Sequence, residues 1–243
     1  MNDEVRIIHN ITKEFPEMIQ ITIFKEPKIL IKKDIIKRKR EEVNLIDYIP
    51  KYSSIQRTRS LIHDLVLCND FELFCTFTFD PKRVRSESLM ASWSVMQRWL
   101  SHQRDLSRSK GKQLKYLIIP EQHKSGRWHF HALISGYSST LRYSGHKSSS
   151  DRPIYNITAF RSGFTTAVAV DSKAGVASYI TKYITKDLVK FYNQRRFFAS
   201  NNLVRPVRTT NSKIFTRTLP VFRQHVSSTD LVDTYVIDKT CMV

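Results

Sequence analysis

Cysteine is scarce in this chain: Cys68, Cys75 and Cys241 are scattered through 243 residues. An odd, widely spaced set excludes a disulfide framework and implies a reducing cytoplasm. Cys75 falls inside a strand pattern and reads as a small core residue rather than a reactive thiol. No apolar run approaches the roughly 20 residues that a membrane span needs. The opening Met1-Asn2-Asp3-Glu4 lacks the basic-then-apolar pattern of a secretory signal, and there is no Gly-x-x-x-x-Gly-Lys-Ser/Thr phosphate loop. Acidic residues are also in short supply. Asp and Glu number 22 against 40 Lys and Arg, a formal net charge of +18, and the pI is about 9.9. That excess favours a polyanionic partner held through salt-sensitive phosphate contacts. With 41% of residues hydrophobic, global disorder is excluded, and one sizeable core with appended segments is expected at this length.

What the chain does contain begins at Trp128-His129-Phe130-His131-Ala132-Leu133. On a strand, successive side chains point to opposite faces, so His129 and His131 share one face and Phe130 takes the other. Lys115 to Ile119 is an apolar strand, Lys124-Ser125-Gly126-Arg127 is a turn, and the histidines lie on the returning strand. A hairpin centred near Ser125 sets Glu121 across from His129. Two imidazoles and a carboxylate on one rigid face are a candidate metal site, with His123 and Gln122 as competing third ligands.

The second constellation is Tyr-Ile-Thr-Lys written twice, at 179–182 and 183–186. Asp171 or Ser172 can cap a helix that runs to about Asn193. Val176, Ile180, Ile184, Leu188 and Phe191 form its apolar stripe, with Tyr179, Lys182, Tyr183 and Lys186 on a neighbouring face. The two tyrosines are then one turn apart, roughly 5–6 Å between their ring-bearing carbons. Read alone, this is an amphipathic helix whose tyrosines flank its buried stripe.

Together the two constellations suggest a reaction. A phenol is a poor nucleophile at neutral pH, and adjacent ammonium groups such as Lys182 and Lys186 favour the phenolate. A divalent ion polarises a phosphoryl oxygen and stabilises charge on the leaving oxygen. Tyrosine attack on a phosphodiester leaves a phosphotyrosine link that conserves bond energy, so a nick can be resealed without ATP.

Three stretches, in order, resemble a known family. Phe74-Cys75-Thr76-Phe77-Thr78-Phe79-Asp80-Pro81 looks like a buried first-motif strand, Glu121 to Leu133 like a metal-binding second motif, and Tyr179 to Lys186 like a two-tyrosine third motif. Over residues 71–187 the chain resembles the rolling-circle replication initiators (Rep proteins) of the HUH endonuclease superfamily, in the form found in bacterial plasmids and small single-stranded DNA phages. The resemblance implies an α+β fold, a central antiparallel sheet with helices packed on it and the histidines on its middle strand. It implies His129, His131 and Glu121 as ligands of Mn²⁺ or Mg²⁺, Tyr179 and Tyr183 as nucleophiles, and Lys182 as their assistant. A single-nucleophile mechanism using either tyrosine stays open. Lys124, Arg127 and Lys186 are the candidate DNA contacts. The expected partners are single-stranded or stem-loop origin DNA with the host helicase and polymerase, in the cytoplasm of a bacterial host. A related transposase or relaxase, or a basic nucleic-acid-binding protein with no activity, are the rival readings.

The remaining segments divide the chain into an N-terminal basic extension and helix (1–70), the nicking-joining domain (71–200) and a C-terminal extension (201–243). Ile21-Thr22-Ile23-Phe24 is strand-like, and Lys37-Arg38-Lys39-Arg40 is either a solvated helix face or a DNA-backbone contact. Residues 53–68 read as helix, with Ile55, Leu61, Ile62, Leu65 and Val66 inward. Ser88–Asp105 also reads as helix, on the spacing of Leu89, Trp93, Met96, Trp99 and Leu100. The serine-rich stretch 138–152, with Arg142, Lys147 and Arg152, reads as an exposed loop suited to origin specificity or as an idle insertion. A strand over 164–170 leads into the tyrosine helix. Ile214–Val221 and Val232–Ile237 are strand-like.

Overall fold

The computed structural model describes residues 5–31, 52–181, 196–211 and 223–241. These form two compact units, one from Met1–Val43 with Arg205–Val243, the other Asn44–Val204. Both are antiparallel sheets and the larger carries helices, an α+β fold.

The smaller unit joins the two ends of the chain. Strands β1 (Val5–Glu14) and β2 (Met18–Ile31) meet β10 (Val207–Thr210), β11 (Arg223–Ser228) and β12 (Val232–Asp238) in the order β10-β1-β2-β12-β11. Ile19, Ile21 and Ile237 are its buried residues, brought side by side by the pairing of Ile19 with Ile237 and of Ile21 with Tyr235. The strand-like piece at 232–237 thereby acquires a place beside the one at 21–24. Residues 32–51, which include the Lys37–Arg40 cluster, and the expected strand near 214–221 lie outside the described residues.

The larger unit is a seven-stranded sheet. Its strands are β3 (Leu73–Phe79), β4 (Lys115–Gln122), β5 (Trp128–Ser135), β6 (Leu141–Lys147), β7 (Pro153–Ile157), β8 (Gly163–Ala169) and β9 (Phe198–Ala199), in the order β6-β7-β8-β3-β5-β4-β9. The histidine strand β5 lies inside the sheet, next to its centre. The middle strand is β3, which corrects the expectation that the histidines occupy it. The reason is the hairpin β6–β7, an addition on one side that shifts the centre. Its first strand lies in the stretch read as a loop. Leu141, Arg142 and Tyr143 pair with Ile157, Asn156 and Tyr155, and Tyr143 packs edge-on against Tyr155. As an edge strand with exposed polar side chains, β6 carries no hydrophobic alternation to announce it; main-chain pairing with β7 makes it a strand.

Period-two alternation divides the sheet cleanly. Cys75, Phe77, Phe79, Phe130, Ala132, Ile134 and Ala167 are all buried on one face, under the helix α2 (Leu89–Ser109). That helix starts at Ser88, whose hydroxyl accepts from the Ala91 amide at 3.3 Å, a cap worth about 1 kcal/mol. It buries Leu89, Trp93, Met96, Trp99 and Leu100 as the sequence period requires. The tryptophans are core residues, Trp93 stacking on Phe198. The opposite face is covered by α1 (Tyr52–Leu67) and α3 (Lys173–Thr181). There Ile62, Leu65, Val66, Ala177 and Ile180 pack on Leu117, Ile119 and Leu133. The cover is only partial, and the functional residues lie where it ends. Among the described residues no helix is long and apolar enough to cross a membrane.

Candidate active site

The hairpin that carries the histidines has the register its turn residues imply. The His123 amide donates to the Arg127 carbonyl and the Gly126 amide to the His123 carbonyl, each at 2.8 Å. Gly126 sits at φ +82°, a conformation that costs a residue with a Cβ but not glycine. Glu121 then pairs with His129, Gln122 with Trp128, and Ile119 with His131. On the other side of β5, Thr78 pairs with His129 and Thr76 with His131, and β8 adds Phe164 and Thr166 to the same two rows. Side chains directly opposite one another share a face. The α1/α3 face therefore carries two polar rows, Phe164-Thr78-His129-Glu121 and Thr166-Thr76-His131-Ile119. A third row, Val168-Phe74-Leu133-Leu117, runs beneath the helices.

Both imidazoles are held through the same nitrogen. Thr78 Oγ1 shares a hydrogen bond with His129 Nδ1 at 3.0 Å, and Thr76 Oγ1 one with His131 Nδ1 at 3.3 Å. His131 is buried, and its Nε2 lies 2.7 Å from a Glu121 carboxylate oxygen. A carboxylate accepts, so this network assigns the proton of a neutral His131 ring to Nε2 and makes the Thr76 hydroxyl the donor to Nδ1. Glu121 thus stands across from His129 but reaches diagonally to His131. Burial pushes the His129 pKa down, the positive forms of His123 and His131 push the same way, and Glu121 opposes them. His129 is therefore neutral at pH 7, the form in which imidazole binds a metal. Among the described residues no three His, Cys, Asp or Glu side chains converge as a ready-made metal cluster. Chemically, two imidazoles and a carboxylate on one face, each ring oriented by a threonine, fit a divalent cation.

Of the competing ligands, Gln122 shares the parity of Trp128 and donates its amide to the Gly126 carbonyl at 2.6 Å, so it closes the turn on the other side of the strand. The His123 ring lies 5.5 Å from that of His129, with its Nδ1 on the Ser125 hydroxyl. Lys124 and Arg127 are at the tip, where the Arg127 guanidinium lies 3.4 Å from Glu87.

The tyrosine helix starts as its sequence indicates. Ser172 Oγ accepts from the Gly175 amide at 3.1 Å and its carbonyl from the Val176 amide at 3.0 Å. Ile180 is fully buried and Val176 packs on the same cluster, which leaves Tyr179 at the margin, 45% exposed. Phe74 joins it to the histidines. Its ring stacks on His131 (centroids 6.1 Å apart, planes within 9°) and meets Tyr179 edge-on at 5.3 Å. Lys182, Tyr183 and Lys186, and the helix beyond Thr181 to 193, lie outside the described residues.

Sequence reasoning missed the parts played by Thr76, Thr78 and Phe74. Their signal was available: in β3 the residues alternating with Cys75, Phe77 and Phe79 are the ones that face the histidines.

Comparison with curated proteins and with solved structures gives no match. Residues 72–188 match the model of a replication-associated protein family, of the ORF2 type. The matched stretch is just under half of the chain and spans Thr76, Thr78, Glu121, both histidines and the repeated tyrosine motif. The likeness supports a role for this region in replication.

Proposed function

We propose that this region nicks and rejoins single-stranded origin DNA to initiate rolling-circle replication, with tyrosine as nucleophile. The observation that carries the reading is Phe74, whose ring touches both His131 and Tyr179. The nucleophile candidate therefore stands one aromatic ring away from the polar rows of the sheet. The family likeness of residues 72–188 and the strongly basic composition support the same reading.

In this mechanism Tyr179 Oη attacks the phosphorus of a phosphodiester. The new bond is Tyr–O–P and the bond lost is the ester to the departing strand end, whose oxygen takes up a proton. One phosphate ester replaces another, so the reverse reaction reseals the strand without ATP. Tyr183, one turn on, can perform the second transfer that closes the replicated circle, and Lys182 favours the phenolate by its charge. His129, His131 and Glu121 would hold a divalent ion, which when bound supplies Lewis-acid stabilisation of charge on the phosphoryl oxygens. Thr76 and Thr78 keep the two rings turned for that task, and Phe74 sets the height of Tyr179 above the sheet. Lys124 and Arg127 at the hairpin tip, with Lys186, contact the DNA backbone.

The test is incubation with single-stranded origin oligonucleotides and Mn²⁺ or Mg²⁺, followed by denaturing electrophoresis. A protein–DNA band that survives denaturation and disappears with EDTA is expected. High-affinity, salt-sensitive binding without any such band would leave a non-enzymatic DNA-binding protein and overturn the proposal.

A further inference from the structure

On the far side of Tyr179 from the histidines lies a groove of about 410 Å³, within the size range of sites for small organic groups. Its floor is apolar: Phe74 and Val168 from the third row of the sheet, Val170 just after β8, and Val176 from α3. Tyr179 forms one wall. The opposite wall is the tip of the β6–β7 hairpin, Ser148 to Arg152, part of the serine-rich stretch that the sequence marks out but the nicking chemistry does not use.

That wall is built, not loose. The Ser148 amide donates to the Arg152 carbonyl at 2.7 Å, and the Ser148 hydroxyl accepts from the Arg152 amide at 3.2 Å. Asp151 takes the left-handed conformation at φ 59° and its carboxylate binds Lys147 at 3.0 Å. The Arg152 guanidinium is spent on struts: the Ala169 carbonyl at 2.9 Å, the Ser150 hydroxyl at 3.1 Å and the Asp171 carboxylate at 3.0 Å. Arg152 therefore holds the hairpin tip against the start of α3 instead of offering a loose positive charge.

We propose that this groove holds one nucleobase of the single-stranded DNA, the base of a nucleotide adjoining the phosphate that Tyr179 attacks, and that it sets a base preference at that position. This rests on the nicking reading above. A base has two apolar faces and a polar rim, and the groove offers an apolar floor with serine hydroxyls and main chain along its edge. Phe74 is at once the floor of the groove and the ring between His131 and Tyr179, so a strand whose phosphate lies at the tyrosine carries its neighbouring nucleotide over the groove. Stacking on apolar and aromatic surface is how single strands are gripped when unpaired.

Gly175 gives a clean way to fill the groove. It lines the groove from the first turn of α3, and a Cβ there meets only Ser172, at an ordinary 3.4 Å, so Gly175→Leu adds bulk without backbone strain and with better helix propensity. Arg152→Gln is the second variant, releasing the wall. The full chain is incubated with a randomised single-stranded library and Mn²⁺, and the DNA linked to protein is sequenced. The wild type should show a preference of roughly five- to tenfold at one position next to the linked phosphate, the scale of a single well-made polar contact. Both variants should flatten that position to less than about twofold while preferences elsewhere persist, and their melting temperatures, measured in parallel, identify any variant that has failed to fold. Linked DNA with an unaltered preference in both folded variants overturns the groove assignment and leaves the nicking reading standing. No linked DNA from the wild type overturns the nicking reading, and this proposal with it.

Discussion

Phe77 and Thr78 are neighbours in β3, yet they serve opposite ends. Phe77 is fully buried against Trp99 and Phe160 beneath α2, and every strand passing under that helix contributes apolar side chains to the same dry layer. Thr78 points the other way and holds His129. One face is covered along its length by a helix with an apolar stripe. The other is covered by α1 and α3 only over the Leu117-Leu133-Phe74 row and is left open over the histidines. The stability of the unit comes from the first face. The second accepts two imidazoles, a carboxylate and threonines that no packing argument requires, because the first face has already supplied the hydrophobic burial.

If that division is right, substitutions on the two faces separate activity from stability. Replacing both Tyr179 and Tyr183 with Phe should reduce covalent protein–DNA adduct by roughly a thousandfold or more while the melting temperature stays near wild type; an adduct that persists would remove the tyrosines from the mechanism. His129→Ala with His131→Ala should lower adduct formation by about a hundredfold or more, with the melting curve retained, because the lost groups lie at the uncovered end. Phe130→Ala, between those two histidines but on the dry face, should do the reverse. It is expected to cost about 3–5 kcal/mol of folding stability by denaturant titration, the usual toll of emptying an aromatic site in a core. A stable Phe130→Ala protein would break the comparison. Thr76→Val with Thr78→Val should raise the Mn²⁺ concentration needed for half-maximal adduct by about tenfold and barely move stability, as expected when the residues orienting a ligand are lost. The smallest effect belongs to Cys75, whose thiol burial pushes far above the ordinary range. It should stay unmodified by a thiol-alkylating reagent in the native protein and react only on unfolding.

Much of the larger unit can be read before any coordinates. The alternation in 73–79 and 128–135 and the helical spacing of Leu89, Trp93, Met96, Trp99 and Leu100 are local periodicities, and Ser88, Ser172 and Gly126 mark the ends and the turn. Period two also puts His129 and His131 on one face, and the turn at 124–127 puts Glu121 on the same face. The edge strand β6 was not legible, because its exposed side chains look like those of a loop. Nor was the meeting of the N- and C-terminal strands, since contacts two hundred residues apart leave no local pattern.

The sequence by itself determined which side chains share a face, because alternation is a property of the backbone of each strand. It also determined that a strongly basic chain and a tyrosine-bearing helix accompany the histidines. Tertiary structure alone decided which strand lies beside which, so that Thr76 and Thr78 support rings more than fifty residues away. It decided too that the Glu121 carboxylate turns to His131 and not to the residue it faces, and that Phe74 brings Tyr179 to the histidines. Those are choices among non-local partners, and they are settled by the fit of α1 and α3 over one row of the sheet and their absence from the next two.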